Sequence, residues 1–488
     1  MKYTSIIMTS LVGILALPSV LSAETIGVDA QKNLDITIYN ENRALVNDTR
    51  AADLTKGKNA IAFADVSSQI MPESALLQGK DIELMEQNFN YDLLSESSLL
   101  EKAVGSTVTV EYINPATGAI KQNQAELLAV NGISPILKIN GKIETQYPGR
   151  VIFNKVPDNL LAKPTLIMDV QSKSAQSQDL ELSYLTRGLS WKADYVAELN
   201  DAENKMNLNG LVTLNNNSGV DYKNANLKLV AGDVNIVQNY VQPRMMKSMA
   251  LMESAADMAT GGMAVSSLSD FYLYTLPRKT DILSNQTKQV SLLSGKNINV
   301  KKTYEFDNSL SLLYTPELKK VKPTIFIGFD NEKDNNLGIA LPKGIVRLYK
   351  ADNKGKMLFV GEDNINHTAN MEKVRLTMGT AFDVFANAKR TEYTQVSSKV
   401  SEIGSEITLK NGGDKNVTVE IYQNFYGTWR ILSESVKSEN VNANRVKWTV
   451  QVPANGEAKL TYKVQLNANS KSVASSSAKT VANSVRKS

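Results

Sequence analysis

Glu362, Asp363 and His367 stand close together and form the best polar constellation in this chain for acid–base work. Proton transfer at neutral pH needs a group that titrates there, and His367 is the chain's one imidazole. Two carboxylates beside it could act as acid and base or hold a hard metal ion. The plainer reading is a turn in which Asp363 or Asn364 bonds local backbone, since 50 acidic residues make adjacent pairs common. Sulfur offers a second chemistry. Met246, Met249 and Met252 supply thioethers, soft ligands that select Cu(I) in an extracytoplasmic setting. The same methionines also suit adaptable apolar filler, oxidant scavenging or a partner-docking helix.

The missing residues exclude a good deal. With no cysteine there is no disulfide framework, thiolate zinc site, iron–sulfur cluster or cysteine nucleophile. A single histidine removes the two-histidine zinc motifs. Neither a Gly-x-Ser-x-Gly elbow, a Walker loop nor a Gly-x-Gly-x-x-Gly turn occurs, and Ser-x-x-Lys falls only at Ser476 and Ser484 near the end. Nothing in the residues calls for a cofactor.

The elements that must position these groups begin with an address. Lys2, an apolar run of 12 residues from Ile6 to Leu17, and the small-residue stretch Pro18 to Ala23 read as a secretory signal peptide, residues 1–23. Cleavage is expected after Ala23, with Ser22 as the alternative. The run is well short of the roughly 20 residues a spanning helix needs, and no later stretch is apolar enough, so no transmembrane span is expected after cleavage. The expected location is periplasmic or secreted. The net charge of +4 becomes +3 without the leader and −1 once the four cations of residues 467–488 are set aside. A body so close to neutral lacks the footprint of a nucleic-acid binder. Residues 467–488 read as a disordered basic tail, or as a weak contact to anionic lipid, cell wall or polysaccharide.

Composition is that of an ordinary folded protein, 42% hydrophobic and 21% charged over 488 residues, and its dominant period is two. Leu34, Ile36 and Ile38 alternate with Asp35 and Thr37. Near the end Val446, Trp448, Val450 and Val452, then Leu460, Tyr462, Val464 and Leu466, flank Pro453-Ala454-Asn455-Gly456, which reads as a hairpin. The fold class is therefore mainly β. Residues 24–103 form an N-terminal β-rich segment with a short helix, for which Ser98 and Glu101 make a capping box. Residues 104–163 hold five short strands, in outline a small β-barrel. Residues 164–466 form a large β-sandwich region, interrupted at 244–267 by a mobile Met-rich insertion that carries six of the 15 methionines. Trp191, Tyr195, Tyr426 and Trp429 are candidate binding contacts, with core packing as the alternative for each.

Two blocks carry a family likeness. Tyr184-Leu185-Thr186-Arg187-Gly188-Leu189-Ser190-Trp191-Lys192-Ala193-Asp194-Tyr195, with Leu227 to Asp233, resembles the bacterial conserved domain-of-unknown-function family that also occurs in mucoidy-inhibitor-A-like proteins. Leu341 to Tyr349, Gly361-Glu362-Asp363 and Phe382-Asp383-Val384 resemble the same family in the same order. The likeness covers about Leu180 to Leu466. Where many relatives carry Trp-Arg-Pro-x-Tyr, this chain has Lys192 and Ala193, which marks a divergent branch. The resemblance implies an extracytoplasmic, β-rich bacterial protein with no established reaction. The expected function is that of a cell-envelope protein that binds an envelope protein or polysaccharide without catalysis. The alternative is a hydrolase or metal-dependent enzyme built on Glu362, Asp363 and His367.

Overall fold

The computed structural model describes residues 23–40, 42–132, 134–157, 160–232, 263–268, 271–308 and 316–467. Strands dominate, and among the described residues there is one α-helix, Glu96–Lys102. No helix among them is long and apolar enough to cross a membrane. The signal peptide before Ala23, the tail beyond Asn467 and Met246, Met249 and Met252 lie outside the described residues. The last part of the expected insertion is described and is not loop. Ala264–Leu268 pairs antiparallel with Phe271–Thr275, and Met263 is buried with its amide on the Leu292 carbonyl.

The chain divides into two compact units. The first takes in the residues up to Ser190 together with Leu214–Leu229 and Arg278–Lys288. One of its sheets runs in the order Glu24–Ile26, Gly57–Ala64, Thr165–Ser172, Ile82–Asn90. In another, Gln31–Tyr39 lies beside Arg43–Leu54, which pairs in turn with Gln176–Thr186. Alternation explains both faces: Leu34, Ile36 and Ile38 are buried, while Asp35 and Thr37 are half-buried. The boundary expected at residue 164 therefore falls inside this unit. Thr165–Ser172 and Gln176–Thr186 pair with strands more than a hundred residues earlier, which local periodicity cannot reveal.

A small module is inserted between Ile82–Asn90 and Thr165–Ser172, two strands that pair with each other. Its helix starts a turn earlier than expected, because Ser95 caps it by accepting from the Ser98 amide at 3.1 Å, while the Ser98 hydroxyl donates to the Leu93 carbonyl. The five expected strands are present as Thr107–Ile113, Ile120–Asn131, Ser134–Ile139, Lys142–Glu144 and Arg150–Ile152. They form an open sheet rather than a barrel. Its edges are the three-residue strands Lys142–Glu144 and Arg150–Ile152, too short to supply the ladder that closure needs. Leu100, Val110, Leu127 and Leu137 centre the module's own core. The chain enters and leaves side by side, since the Leu94 amide bonds the Leu161 carbonyl and the Leu161 amide bonds the Asp92 carbonyl.

One sheet, whose strands lie mostly in the second unit, has the order Gln286–Asn299, Lys205–Asn216, Leu189–Leu199, Gly344–Ala351, Met357–Ile365. Two further sheets close on one sandwich core that includes Phe306, Ile407, Trp448, Leu460 and Tyr462. The hairpin expected near the end is overturned here. Arg445–Val452 pairs with Val417–Asn424 in one sheet, whereas Gly456–Asn467 pairs with Val400–Asn411 in the other. The Pro453 to Gly456 turn carries the chain across the sandwich. Both strands turn their apolar faces to the same core, with Trp448 and Tyr462 stacked at 4.6 Å, so their alternation looks like that of a hairpin.

Candidate functional site

Glu362 and Asp363 are consecutive on the Met357–Ile365 strand, so their side chains leave on opposite faces. One Asp363 oxygen accepts the Thr377 amide at 2.7 Å and the other accepts the Asn364 amide at 2.8 Å. Burial works against its ionisation, but the bonds from Thr377 and Asn364 prevail and hold the carboxyl below its ordinary range. Gly361 makes this joint possible: a Cβ there would stand 2.3 Å from the Met378 carbonyl oxygen. Glu362 faces the other way, 3.4 Å from Arg347 Nε. His367 follows the strand, and its Nδ1 accepts the Lys343 amide at 3.2 Å beside the Leu341–Thr368 bridge. The three side chains of the expected cluster are thus drawn to three different partners. Among the described residues no group of three or more His, Asp or Glu side chains is placed to hold a metal ion.

The two blocks that carry the family likeness meet in the five-stranded sheet of the second unit. Leu189–Leu199 and Gly344–Ala351 pair in parallel, with Ala193 opposite Gly344 and Val196 opposite Arg347. Glycine is required at 344, where a Cβ would lie 2.3 Å from the Ala193 carbonyl oxygen. Arg347 also sits directly opposite Glu362 on the next strand. The odd-numbered residues of Leu189–Leu199 turn to the core. Trp191 and Tyr195 are both buried there, with Trp191 6.4 Å from the Tyr274 ring and the Tyr195 hydroxyl donating to the Pro342 carbonyl at 2.8 Å. These two candidate contacts therefore act as core aromatics and as a clasp between the blocks. Burial also raises the Tyr195 hydroxyl well above its ordinary range, so it stays a proton donor.

The even-numbered residues lie on the opposite face, where Lys192 is exposed, Glu198 is half-buried and Asp194 is buried among its partners. Asp194 is the hub of that face: one oxygen accepts the Thr213 hydroxyl at 2.8 Å and the other accepts from Arg347 NH1 at 3.1 Å. Lys192 Nζ stands 3.7 Å away, and Gln289 Nε2 donates to Thr213 at 3.1 Å. Burial disfavours the Asp194 charge, yet Thr213, Arg347 and Lys192 together outweigh it and keep the carboxyl below its ordinary range. Alongside, Tyr349 meets the exposed Phe359 edge to face at 5.8 Å. The result is a sheet surface of fixed charges, an amide and an aromatic edge, able to donate and accept hydrogen bonds along an extended partner. Asp194, Thr213, Gln289 and Arg347 escaped the reading of the residues alone. Their signal was a charged residue at an outward position in each of the two blocks.

The remaining pair lies in the sandwich. Trp429 is half-buried, its ring 5.0 Å from Phe425 and its indole N–H on the Ala443 carbonyl at 2.9 Å. Tyr426 next to it is 63% exposed and is the one of the four candidate aromatics that faces outward freely.

Comparison with curated proteins finds no match. The family described as "Domain of unknown function (DUF4139)" matches residues 180–470, which takes in the five-stranded sheet's two blocks and the whole sandwich. With more than half its length inside that match, and the matched blocks forming the joints just described, the chain belongs to this family of unknown function.

Proposed function

We propose that the protein is a secreted or periplasmic cell-envelope protein of the mucoidy-inhibitor-A-like kind, acting by binding an envelope protein or polysaccharide rather than by catalysis. The observation that carries this reading is the division of labour around Glu362, Asp363 and His367. A reaction centre needs acid, base and reacting atom within hydrogen-bond reach of one point. Here each Asp363 oxygen accepts a backbone amide and Glu362 leaves on the opposite face. The outward face around Asp194, Arg347 and Glu362 has instead the character of a contact surface, fixed in place by cross-strand pairs and rimmed by Phe359.

The test is crosslinking in intact cells with a photoreactive residue at position 192 or 359, followed by recovery of the tagged protein. A defined envelope protein or glycan should be captured from those positions and not from position 58, on the other unit. The mature chain should begin at Glu24 and fractionate with the periplasm or medium. A variant combining Glu362→Gln, Asp363→Asn and His367→Ala should complement a deletion strain. If it folds with unchanged melting temperature and fails to complement, while no partner is captured, the enzyme reading replaces this one.

A further inference from the structure

The sheet that contains Lys301–Asp307, Thr324–Asp330 and Lys373–Thr380 holds a cavity of about 640 Å3, on another sheet from Asp194 and independent of the reading above. Volumes of about 300–1,000 Å3 are usual for small-molecule sites. In its lining, Gly328 stands on the central one of these strands, opposite Lys301 on one side and Arg375 on the other. Glycine inside a strand weakens it and often marks a place where a ligand or another backbone approaches closely. Nothing else calls for glycine here: its φ is not positive, and a Cβ would meet nothing nearer than 3.8 Å. Arg375 is held elsewhere, its guanidinium 3.5 Å over the Phe326 ring and paired with Glu305.

Thr303 also lines the cavity and is 9% exposed. Its hydroxyl has no hydrogen-bond partner among the described residues, yet it keeps accessible surface. A nearly buried hydroxyl in that state is a group that a ligand can satisfy. The charges of the lining do not balance. Each cation has its acid: Lys301 stands 3.7 Å from Glu420, Lys373 stands 3.8 Å from Asp330, and Arg375 pairs with Glu305. Glu332 and Asp334, in the same lining, have neither an ion pair nor a side-chain hydrogen bond. Their turn is nonetheless fixed, since Asn335 Oδ1 accepts the Asn299 amide at 2.7 Å and Asn335 Nδ2 donates to the Asp330 carbonyl at 3.0 Å. What the lining leaves unanswered is thus two carboxylates and one hydroxyl, all of them acceptors. An anion is repelled, a neutral molecule leaves both charges uncompensated, and a metal ion lacks the ligand group it needs. An ammonium brings a positive charge and three N–H donors to the same place.

We propose that this cavity binds the ammonium group of a linear aliphatic amine, with Thr303 accepting one of its N–H bonds, Glu332 and Asp334 supplying the counter-charge, and the alkyl chain laid over Gly328. Free diamines and the lysine side chains of a polypeptide both present this group. The family match assigns none of these residues, and Thr303 is a position where valine keeps the shape and removes only the hydroxyl.

Calorimetric titration of the full mature chain tests the assignment, with putrescine as the free amine and Nα-acetyl-lysine methylamide as the lysine side chain. Butanediol, succinate and calcium ion are the neutral, anionic and metal controls. At least one of the two amines should bind with a dissociation constant of about 1 mM or tighter, about tenfold or more below that of any control, and more weakly at high salt. Glu332→Gln should weaken that binding about tenfold and Thr303→Val about fivefold, neither lowering the melting temperature. Gly328→Val, whose Cβ has room in the sheet, should abolish binding in a protein at least as stable as the parent. Binding of putrescine alone assigns the site to a free amine, and binding of the lysine derivative alone assigns it to a polypeptide. Failure of both amines to bind, equal binding of butanediol or calcium, or amine binding that Glu332→Gln or Thr303→Val leaves unchanged would each overturn the proposal. Crosslinking from position 192 or 359 reads another sheet, so the two proposals stand or fall separately.

Discussion

Asp48 and Arg50 lie two residues apart on one strand, and their side chains are 5% and 1% exposed. Asp194 and Arg347 come from strands 153 positions apart and are 9% and 33% exposed. The chemistry of the two pairs is the same, but their surroundings differ. Every strong donor of the first pair is spent on a partner within the unit, including two backbone carbonyls, so it stitches strands together. The second keeps an open side, where the Lys192 and Glu362 side chains are 57% and 53% exposed. Burial converts an ion pair from a surface feature into an architectural one, because in a low dielectric neither member can do without the other.

Removing one member of the sealed pair should have the largest effect. Arg50→Met leaves Asp48 buried and uncompensated, and should destabilise the first unit by about 3–5 kcal/mol. Hydrogen exchange in the Gly57–Ala64 strand reports on that unit, and Asp48→Leu added to Arg50→Met should recover most of the loss. If the single variant costs less than about 1 kcal/mol, the two pairs do not differ as described.

Asp194→Asn should cost about 1–3 kcal/mol, read from the second unit's exchange protection. Its pH dependence has a defined sign. The folded carboxyl is held below its ordinary range, so its stabilising contribution is complete above the ordinary aspartate value and drains away as pH falls through and below it. The unchanged protein should therefore lose stability more steeply on acidification than Asp194→Asn does. Parallel slopes would mean that Asp194 is no more engaged in the folded state than in the unfolded one.

The smallest change belongs to the rim. Glu362 is 53% exposed in its contact with Arg347, and Glu362→Gln should shift stability by no more than about 0.5 kcal/mol, less at high salt. A larger shift, measured by urea titration at low and high salt, would extend the architectural role of the first pair to the open face.

How far each feature could be read in advance depended on whether its cause is local. The strands were legible wherever two faces differ, as in Gln31–Tyr39 and the five strands of the inserted module, since burial imposes period two on the residues themselves. Turn chemistry was legible too. Asn140-Gly141 joins Ser134–Ile139 to Lys142–Glu144, with both residues at positive φ as a tight turn requires. Partner choice was not. Nothing near Arg445–Val452 or Gly456–Asn467 tells which sheet each joins, because both face one core and a four-residue turn serves either outcome. The Asp194–Arg347 contact was hidden for the same reason, as parallel pairing over a long separation leaves no local trace. Trp191 and Tyr195 were half-legible: they share odd positions with Ala193 and Ala197, while Lys192 and Asp194 take the even ones, a pattern that already favoured the core.

The inserted module also bears on the order in which the first unit comes together. Ile82–Asn90 and Thr165–Ser172 must find one another across a long stretch of chain, and closing a floppy loop of that length is an entropic burden borne before any ladder forms. A module that folds first on its own small core brings Asp92, Leu94 and Leu161 together, so the long loop becomes in effect a turn. The module would then be a folding aid as much as an appendage. Refolding of the sheet should keep pace with the module, and weakening the Leu100–Leu127 core should slow the pairing of strands that it never touches.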